Sequence, residues 1–251
     1  MQHLTIVTGA SRGMGLAIAR QLCVRDANVV CISRNRSDQL QAWADAQGAG
    51  LQQWNADLAD PQPVAERLRE WLAAQDPARL ASATLINNAG VIGHLGPLES
   101  GHARDIAQTL RIDLEAPMQL SAAFMAATRN WTMPRKILNI SSGLGRRAMA
   151  GSALYCAAKA GIDHFSRCVA LDEARQPHRL RIVSLAPGVI DTDMQSQLRA
   201  GDPAAFPDRD NFVRLQQTNA LASPAKAAQQ VLAYLARADF GEQPVADVRD
   251  A

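Results

Sequence analysis

The stretch Leu4 to Gly15, LTIVTGASRGMG, joins a short β-branched run to a helical segment through a glycine-rich turn. Glycines allow a tight turn and let the backbone approach a pyrophosphate, which then lies at the positive end of the following helix. Packing of helix against strand is the alternative role for Gly13 and Gly15. Because the turn follows a first strand and opens a helix, a nucleotide site is favoured. The predicted phosphate-binding residues are Gly9, Ser11, Arg12, Gly13, Met14 and Gly15.

Strand-like and helix-like segments alternate along the rest of the chain. Strands separated by helices pair in parallel, and their apolar residues are covered on both faces. The pattern predicts an α/β fold: one doubly wound, Rossmann-type domain over 1–251, with a mostly parallel seven-stranded sheet and helices on both faces. The segment 191–219 is polar and contains Gly201, Pro203 and Pro207, so we expect a mobile substrate lid there. The predicted helices are 14–25, 37–47, 61–75, 101–128, one around Tyr155, and 225–236.

Composition excludes several classes of protein. With 251 residues and 47% hydrophobic content the chain can bury a full core, and a net charge of +2 is too small to indicate nucleic acid or an acidic membrane. No apolar run is long enough to span a membrane, and no signal peptide precedes the first strand, which predicts a cytoplasmic protein. The histidines lack metal-ligand spacing, so we expect no metal. The cysteines form no C-x-x-C pair and are expected to be reduced and buried: Cys23, Cys31, Cys156 and Cys168.

Tyr155 and Lys159 are the candidate catalytic pair. They lie four residues apart in an Ala-rich helical run, so both side chains project from one face. A phenol has a pKa of about 10, and a nearby ammonium lowers it, which makes the tyrosine usable as a general acid or base. Ser142 ends the apolar run KILNIS and is placed to share a substrate oxygen with Tyr155. A Tyr and Lys pair at this spacing is common on exposed helix faces. The predicted nucleotide site in the same chain is what favours a catalytic role for it.

The end of the second strand predicts which dinucleotide binds. NAD sites usually carry an acidic residue there, bonded to the ribose 2′-hydroxyl. Here Ser33 holds that place and Arg34 follows, with Arg12 in the glycine turn. Guanidinium groups without a carboxylate suit a 2′-phosphate, so NADP(H) is the predicted cofactor. The alternative is that Arg34 and Arg36 are ordinary solvated charges.

These motifs together resemble the short-chain dehydrogenase/reductase family, in its single-domain branch, over essentially the whole chain. TGASRGMG, Asn87-Asn88-Ala89-Gly90, Ser142 with Tyr155-x-x-x-Lys159, and PGVIDT at 187–192 carry the resemblance. Within that family, the chain is most similar to the sepiapterin reductases and the bacterial benzil reductases. The resemblance implies contacts to adenine, to the ribose region and to nicotinamide, with Lys159 on the nicotinamide ribose. The residues so implied are Asp57, Leu58, Asn88, Ala89, Gly90, Pro187, Gly188, Val189 and Thr192.

One position departs from the family pattern. Relatives usually carry an asparagine in the long helix before the fifth strand, and here the run Leu110-Arg-Ile-Asp-Leu114 places Asp113 there. The resemblance makes Asp113 the fourth catalytic residue and leaves its part in proton relay open. The Ser142, Tyr155 and Lys159 core is unaffected.

The function that the resemblance implies is an NADPH-dependent carbonyl reductase in which Tyr155 donates the proton to a ketone or diketone. A 3-oxoacyl thioester, a sugar or a steroid is the alternative substrate, and a non-catalytic nucleotide sensor is the alternative class. The expected partners are a small carbonyl or alcohol substrate and a second copy of the chain, in a dimer or tetramer. Further candidates near the site are His94, the pair Arg146 and Arg147, Asp247, and an apolar lid of Met149, Ile190, Met194, Phe206 and Phe212.

Overall fold

The structure is a computed structural model that describes residues 1–250. Its seven strands form one sheet in the order β3-β2-β1-β4-β5-β6-β7, and every neighbouring pair is parallel. The predicted α/β doubly wound architecture is confirmed. The strands are β1 Gln2–Thr8, β2 Ala27–Ser33, β3 Gly50–Asn55, β4 Leu80–Asn87, β5 Arg135–Ile140, β6 Arg181–Ala186 and β7 Val245–Asp247.

Helices cover both faces of the sheet because strand side chains alternate in direction. In β1, Ile6 belongs to one apolar core and Val7 to the other. The core around Val7 includes residues of α1, α2 and α9, and the core around Ile6 includes residues of α3, α5 and α6. The helices are α1 Gly13–Leu22, α2 Asp38–Gln47, α3 Pro61–Ala73, α4 Ala103–Leu110, α5 Ala116–Thr128, α6 Ala153–Glu173, α7 Asp193–Arg199, α8 Arg209–Gln217 and α9 Pro224–Ala236.

The long helical region before β5 is interrupted. Residues Arg111–Glu115 form a π-helical turn between α4 and α5, and Asp113 lies at its centre. Such turns are rare and are frequently found at functional sites. The sequence predicted one uninterrupted helical region, because periodicity does not register a single wide turn.

Residues 191–219, predicted as a mobile lid, contain the two short helices α7 and α8. Phe206, in the connection between them, is fully buried, and its ring stacks on that of Phe212 in α8. The segment therefore packs on the body of the protein through aromatic side chains. Its mobility stays a prediction.

The cysteines correct one expectation. Cys23 and Cys31 are buried, and desolvation raises the pKa of Cys23 to about 11 and that of Cys31 to about 12, so both stay as thiols at neutral pH. Cys156 is half-buried and Cys168 is exposed, so the prediction that all four are buried is wrong. Cys168 lies on the outer face of α6, where a helical context alone does not show which way a side chain points.

Candidate active site

A cleft of about 590 Å³ opens at the carboxyl ends of the strands. It lies where the strand order reverses between β1 and β4, the place where open α/β sheets bind ligands. The catalytic candidates Ser142, Tyr155 and Lys159 line it. So does every residue predicted to contact the cofactor, namely Gly9, Ser11, Arg12, Gly13, Met14, Gly15, Arg34, Asp57, Leu58, Asn88, Ala89, Gly90, Pro187, Gly188, Val189 and Thr192.

The glycine turn, residues 9–15, is a cradle whose own packing leaves no room for a side chain at Gly9 or Gly15. A Cβ at Gly15 would lie 2.3 Å from the carbonyl oxygen of Gly9, and a Cβ at Gly9 would lie 2.8 Å from the Cα of Ala89. Gly9 also has a φ of +68°, in the left-handed region that favours glycine. The turn is held from β4, because the backbone N–H groups of Asn88 and Ala89 donate to the Thr8 hydroxyl at 2.9 and 3.0 Å. Close packing within the turn therefore requires glycine at positions 9 and 15, which is the packing role named above as the alternative for Gly15. A Cβ at Gly13 would meet only the Thr192 side chain, at 3.5 Å, so the turn is less crowded there.

The two predicted phosphate arginines differ in their surroundings. Arg34 is exposed, follows Ser33 at the end of β2 and lines the cleft. Arg12 also lines the cleft, but its Nη1 lies 2.7 Å from Oδ2 of Asp193 in α7, and both side chains are exposed. An exposed ion pair of this kind contributes little to stability and is easily exchanged. The end of β2 carries no carboxylate.

Tyr155 and Lys159 lie together at the inner end of the cleft. Tyr155 is buried in the first turn of α6, and the Lys159 Nζ lies 5.4 Å from the centroid of its ring. Lys159 is 4% exposed and donates a hydrogen bond to the carbonyl oxygen of Ile140 at 3.1 Å. Ser142 follows β5 and faces the same site, where its hydroxyl accepts from the Leu144 N–H at 3.2 Å. The spacing from Tyr155 to Lys159 thus puts both groups on the inner face of the helix.

Asp113 faces Lys159 from the π-helical turn. Its Oδ2 lies 3.2 Å from the Lys159 Nζ, and its Oδ1 accepts a hydrogen bond from the Val91 N–H at 2.8 Å. Both carboxyl and ammonium are buried. Burial outweighs the lowering by Lys159 and the Val91 N–H, so the pKa of Asp113 lies above its ordinary value. Both oxygens nevertheless face donors, the Lys159 ammonium at 3.2 Å and the Val91 N–H at 2.8 Å, which is the arrangement of a carboxylate paired with an ammonium.

The electrostatics of Tyr155 correct the sequence analysis. Burial is the largest influence and raises the tyrosine pKa; Lys159 lowers it, Asp113 raises it and a hydrogen bond with Ser142 lowers it. The net pKa lies above its ordinary value: the predicted lowering by Lys159 is present, but burial, which the sequence did not report, outweighs it. Burial also opposes the charge on Lys159, but Asp113 and Tyr155 outweigh it and raise the lysine pKa. The site therefore holds a protonated phenol beside a charged ammonium.

An apolar wall surrounds the exposed edge of Tyr155. Ile92, Met149, Leu198 and Phe206 form a buried cluster with the tyrosine, and Met194 and Phe212 are partly buried against it. Of the predicted lid residues, Ile190, Met194 and Phe212 line the cleft, whereas Met149 and Phe206 lie behind it in the cluster. Ile190 belongs to the core on the α1 side of the sheet.

The remaining candidates have structural partners. His94 Nε2 shares a hydrogen bond with the Ser100 hydroxyl at 2.9 Å, and His94 does not line the cleft. Arg146 donates to Asp163 at 3.1 Å and to the carbonyl oxygen of Ala246 at 2.9 Å, so it is not on a fully solvated loop. Arg147 is exposed at the cleft.

The C-terminal segment contributes a residue that the sequence analysis missed. Arg249 lines the cleft, and its Nη2 lies 3.9 Å from where a Cβ of Gly143 would be, beside Ser142. The Asp247 carboxylate forms an ion pair with this arginine. It accepts hydrogen bonds from the Arg249 Nε at 2.8 Å and from the Arg249 Nη2 at 2.5 Å. The Arg249 hydrogen bond lowers the pKa of Asp247. No signal in a three-residue strand followed by a charged terminus indicates this placement.

Comparison with known proteins identifies the family. A family model described as short chain dehydrogenase matches residues 3–203. The protein belongs to the short-chain dehydrogenase/reductase family. It is 33% identical to "Benzil reductase ((S)-benzoin forming)" of Bacillus cereus over 240 residues, covering 96% of each chain. It is 32% identical to "Sepiapterin reductase" of Rattus norvegicus over 248 residues, covering 94% of this chain and 92% of the relative.

Solved structures agree with this assignment. The crystal structure of the KRED1-Pglu enzyme superposes with a TM-score of 0.80 at 26% identity, covering 97% of this chain and 100% of the other. As a family member, the protein is an oxidoreductase of the carbonyl reductase type that acts on carbonyl or alcohol groups. Among residues 1–250, no three His, Cys, Asp or Glu side chains are grouped as metal ligands, and no helix is long and apolar enough to cross a membrane.

Proposed function

We propose that this short-chain dehydrogenase/reductase is an NADPH-dependent carbonyl reductase that reduces compact, largely apolar ketones. The observation that carries the proposal is the position of Tyr155. The tyrosine lines the same cleft as the glycine cradle, whose position before a helix suits a dinucleotide pyrophosphate, and it packs with a wall of apolar side chains. A substrate against that wall would have its carbonyl oxygen within reach of Ser142 and Tyr155.

The residues of the cleft fit a dinucleotide of the NADP type. The glycine cradle lines the cleft at the N-terminus of α1, where a phosphate is favoured, and Arg34 offers a guanidinium for the 2′-phosphate of NADP. Asp57 and Leu58 would contact the adenine, and Pro187 to Thr192 the nicotinamide. When bound, the reduced nicotinamide supplies the hydride.

The chain's own groups provide the proton and the alignment. Ser142 holds the carbonyl oxygen, and Tyr155 donates its phenolic proton to that oxygen. Lys159 stabilises the tyrosinate that remains, while Asp113 holds Lys159 in place. The raised pKa of Tyr155 keeps the phenol protonated, which is the form that reduction requires. The apolar wall excludes water and so strengthens these interactions.

A spectrophotometric screen tests the proposal. NADPH oxidation is followed by its loss of absorbance with aromatic diketones, pterins and acetoacetyl thioesters, each repeated with NADH. We expect turnover with diketones and a preference for NADPH. Turnover confined to the thioesters would move the substrate to the 3-oxoacyl class, and binding of NADPH without any reduction would contradict a reductase. The cytoplasmic location and the homo-oligomeric assembly expected from the sequence stay predictions.

A further inference from the structure

Apart from Asp113 Oδ2, which is ion-paired with Lys159, four buried side-chain atoms within residues 1–250 lack a hydrogen-bond partner: Asn87 Oδ1, Ser152 Oγ, Gln195 Oε1 and Arg199 Nη1. A buried polar atom without a partner costs free energy, so each one requires an explanation. Of the residues that carry them, Gln195 alone lines the cleft. Gln195 is 7% exposed, and its carbonyl oxygen is therefore a buried acceptor beside the site where substrate enters.

The position of Gln195 on α7 directs it to the catalytic end of the cleft. Gln195 and Leu198 are the two buried residues of this seven-residue helix, and their spacing of three places them on one face. Leu198 packs in the same apolar cluster as Tyr155. The face of α7 that carries Gln195 is therefore the face turned toward the tyrosine.

Three apolar side chains from the same cluster as Tyr155 line the cleft with Gln195, namely Met194, Leu198 and Phe212. An amide in such a wall fixes the orientation of a ligand by a small number of directed hydrogen bonds. Because a glutamine side chain is uncharged and both donates and accepts, its match is an uncharged oxygen function such as a hydroxyl or a second carbonyl. A ligand that carries a carboxylate or phosphate group would be better matched by the exposed arginines that line the cleft.

We propose that Gln195 is a specificity-determining residue that hydrogen-bonds a second, uncharged oxygen of the substrate while Ser142 and Tyr155 hold the reacting carbonyl. The inference deepens the proposed carbonyl reductase function and rests on it. It narrows the substrate class to ketones that carry a neighbouring carbonyl or hydroxyl group. A site built to pair a polar substrate group discriminates against the analogue that lacks it, because the buried amide is then left unpaired.

The test compares two ketones with one carbon skeleton: benzil, with two carbonyls, and 1,2-diphenylethanone, with one. Gln195→Met keeps length and approximate volume while removing the amide. We expect kcat/KM for benzil to fall by about three- to tenfold, the loss of one neutral hydrogen bond, and that for the monoketone to stay the same or rise. Gln197→Met is the matched control, because Gln197 is exposed on the same helix; neither substrate should respond to it.

Two further measurements separate the possible causes. Since Gln195 Oε1 has no partner in the protein, we expect Gln195→Met to raise the thermal midpoint by about 2–4 °C, whereas a structural glutamine would lower it on removal. The affinity for NADPH should be unchanged, and weaker NADPH binding would assign Gln195 to the cofactor and overturn the inference. Equal losses for both ketones would overturn it as well.

Calorimetric titration of the two ketones into the complex with NADP⁺ measures substrate binding without turnover. It therefore tests the role of Gln195 separately from the proposed reductase function. Tighter binding of benzil than of the monoketone, abolished by Gln195→Met, supports the role of Gln195 even if no turnover is seen. If no turnover is seen, the reductase proposal fails and the role of Gln195 in binding stands. Normal turnover of benzil by Gln195→Met, with unchanged selectivity between the two ketones, contradicts the role of Gln195 and leaves the reductase proposal intact.

Discussion

Replacing Asp113 by asparagine removes a buried negative charge near the proposed proton donor and leaves the shape of the side chain nearly unchanged. In the structure the carboxylate lies 3.2 Å from the Lys159 Nζ, which itself lies 5.4 Å from the centroid of the Tyr155 ring. Asp113 and burial raise the tyrosine pKa, while Lys159 and Ser142 lower it. In the variant no carboxylate offsets the positive charge of Lys159. The tyrosinate form of Tyr155 is therefore favoured, and the tyrosine pKa is lower than in the wild type.

The size of the effect follows from these two distances. The carboxylate lies within about 9 Å of the ring, and at an effective dielectric constant of about 20 a unit charge at that distance acts with roughly 2 kcal/mol. Reduction requires protonated Tyr155, so activity is present below the tyrosine pKa and is lost as the pH rises through it. Removing Asp113 should move the alkaline limb of kcat/KM for reduction to lower pH by about one unit.

The assay is the pH profile of kcat/KM for ketone reduction in the wild type and in Asp113→Asn. Asp172→Asn is the matched control, since Asp172 is exposed on the same helix as Tyr155 and the change in net charge is identical. Cys156, the remaining titratable neighbour of Tyr155, raises its pKa slightly and is unchanged in both variants. An alkaline limb that stays in place in Asp113→Asn, or moves upward, would refute the electrostatic reasoning and leave Asp113 as a tolerated substitution.

Two further predictions concern the cofactor cradle. A charge-assisted contact contributes about 1.5–3 kcal/mol, so Arg34→Ala should weaken NADPH binding by about ten- to a hundredfold and leave NADH nearly unaffected, as measured by fluorescence titration. Arg36→Ala, in the same exposed loop but outside the cleft, is its control, and equal weakening of both cofactors would make the phosphate assignment wrong. Gly15→Ala places a Cβ 2.3 Å from the Gly9 carbonyl oxygen and should reduce the free energy of unfolding by at least about 1–3 kcal/mol in urea titration. Gly50→Ala is the control: its Cβ would have no contact closer than 3.4 Å, so the free energy of unfolding should change little. If Gly15→Ala were as stable as the wild type, the glycine turn would have to be able to move aside for the added Cβ, which would contradict the prediction.

The sequence predicted the parallel sheet and the glycine turn because both are local patterns. Apolar β-branched runs define strands, and a strand followed by glycines and a helix defines the turn. The carboxyl ends of parallel strands meet at one edge, and for this reason the candidate residues after β1, β2, β4, β5 and β6 line one cleft.

What the sequence could not predict depends on contacts between distant segments. Arg12 pairs with Asp193, 181 residues away, and Arg249 reaches the Ser142 loop from the end of the chain. The contact between Asp113 and Lys159 requires a π-helical turn that periodicity does not reveal. The raised pKa of Tyr155 arises from burial, which a motif does not report. Gln195 lay in a polar segment that was expected to be a mobile lid, and only the packing of α7 shows that its amide is buried.

The central claim is that Tyr155 donates the proton in an NADPH-dependent reduction, and turnover by Tyr155→Phe tests it most directly. The variant keeps the ring in its apolar cluster and removes the hydroxyl alone, while Tyr234→Phe, on α9 and outside the cleft, controls for loss of a tyrosine. We expect kcat for ketone reduction to fall by about 10²–10⁴-fold in Tyr155→Phe, with the dissociation constant of NADPH unchanged. Near-normal turnover by Tyr155→Phe would contradict the mechanism and remove the tyrosine from the catalytic site.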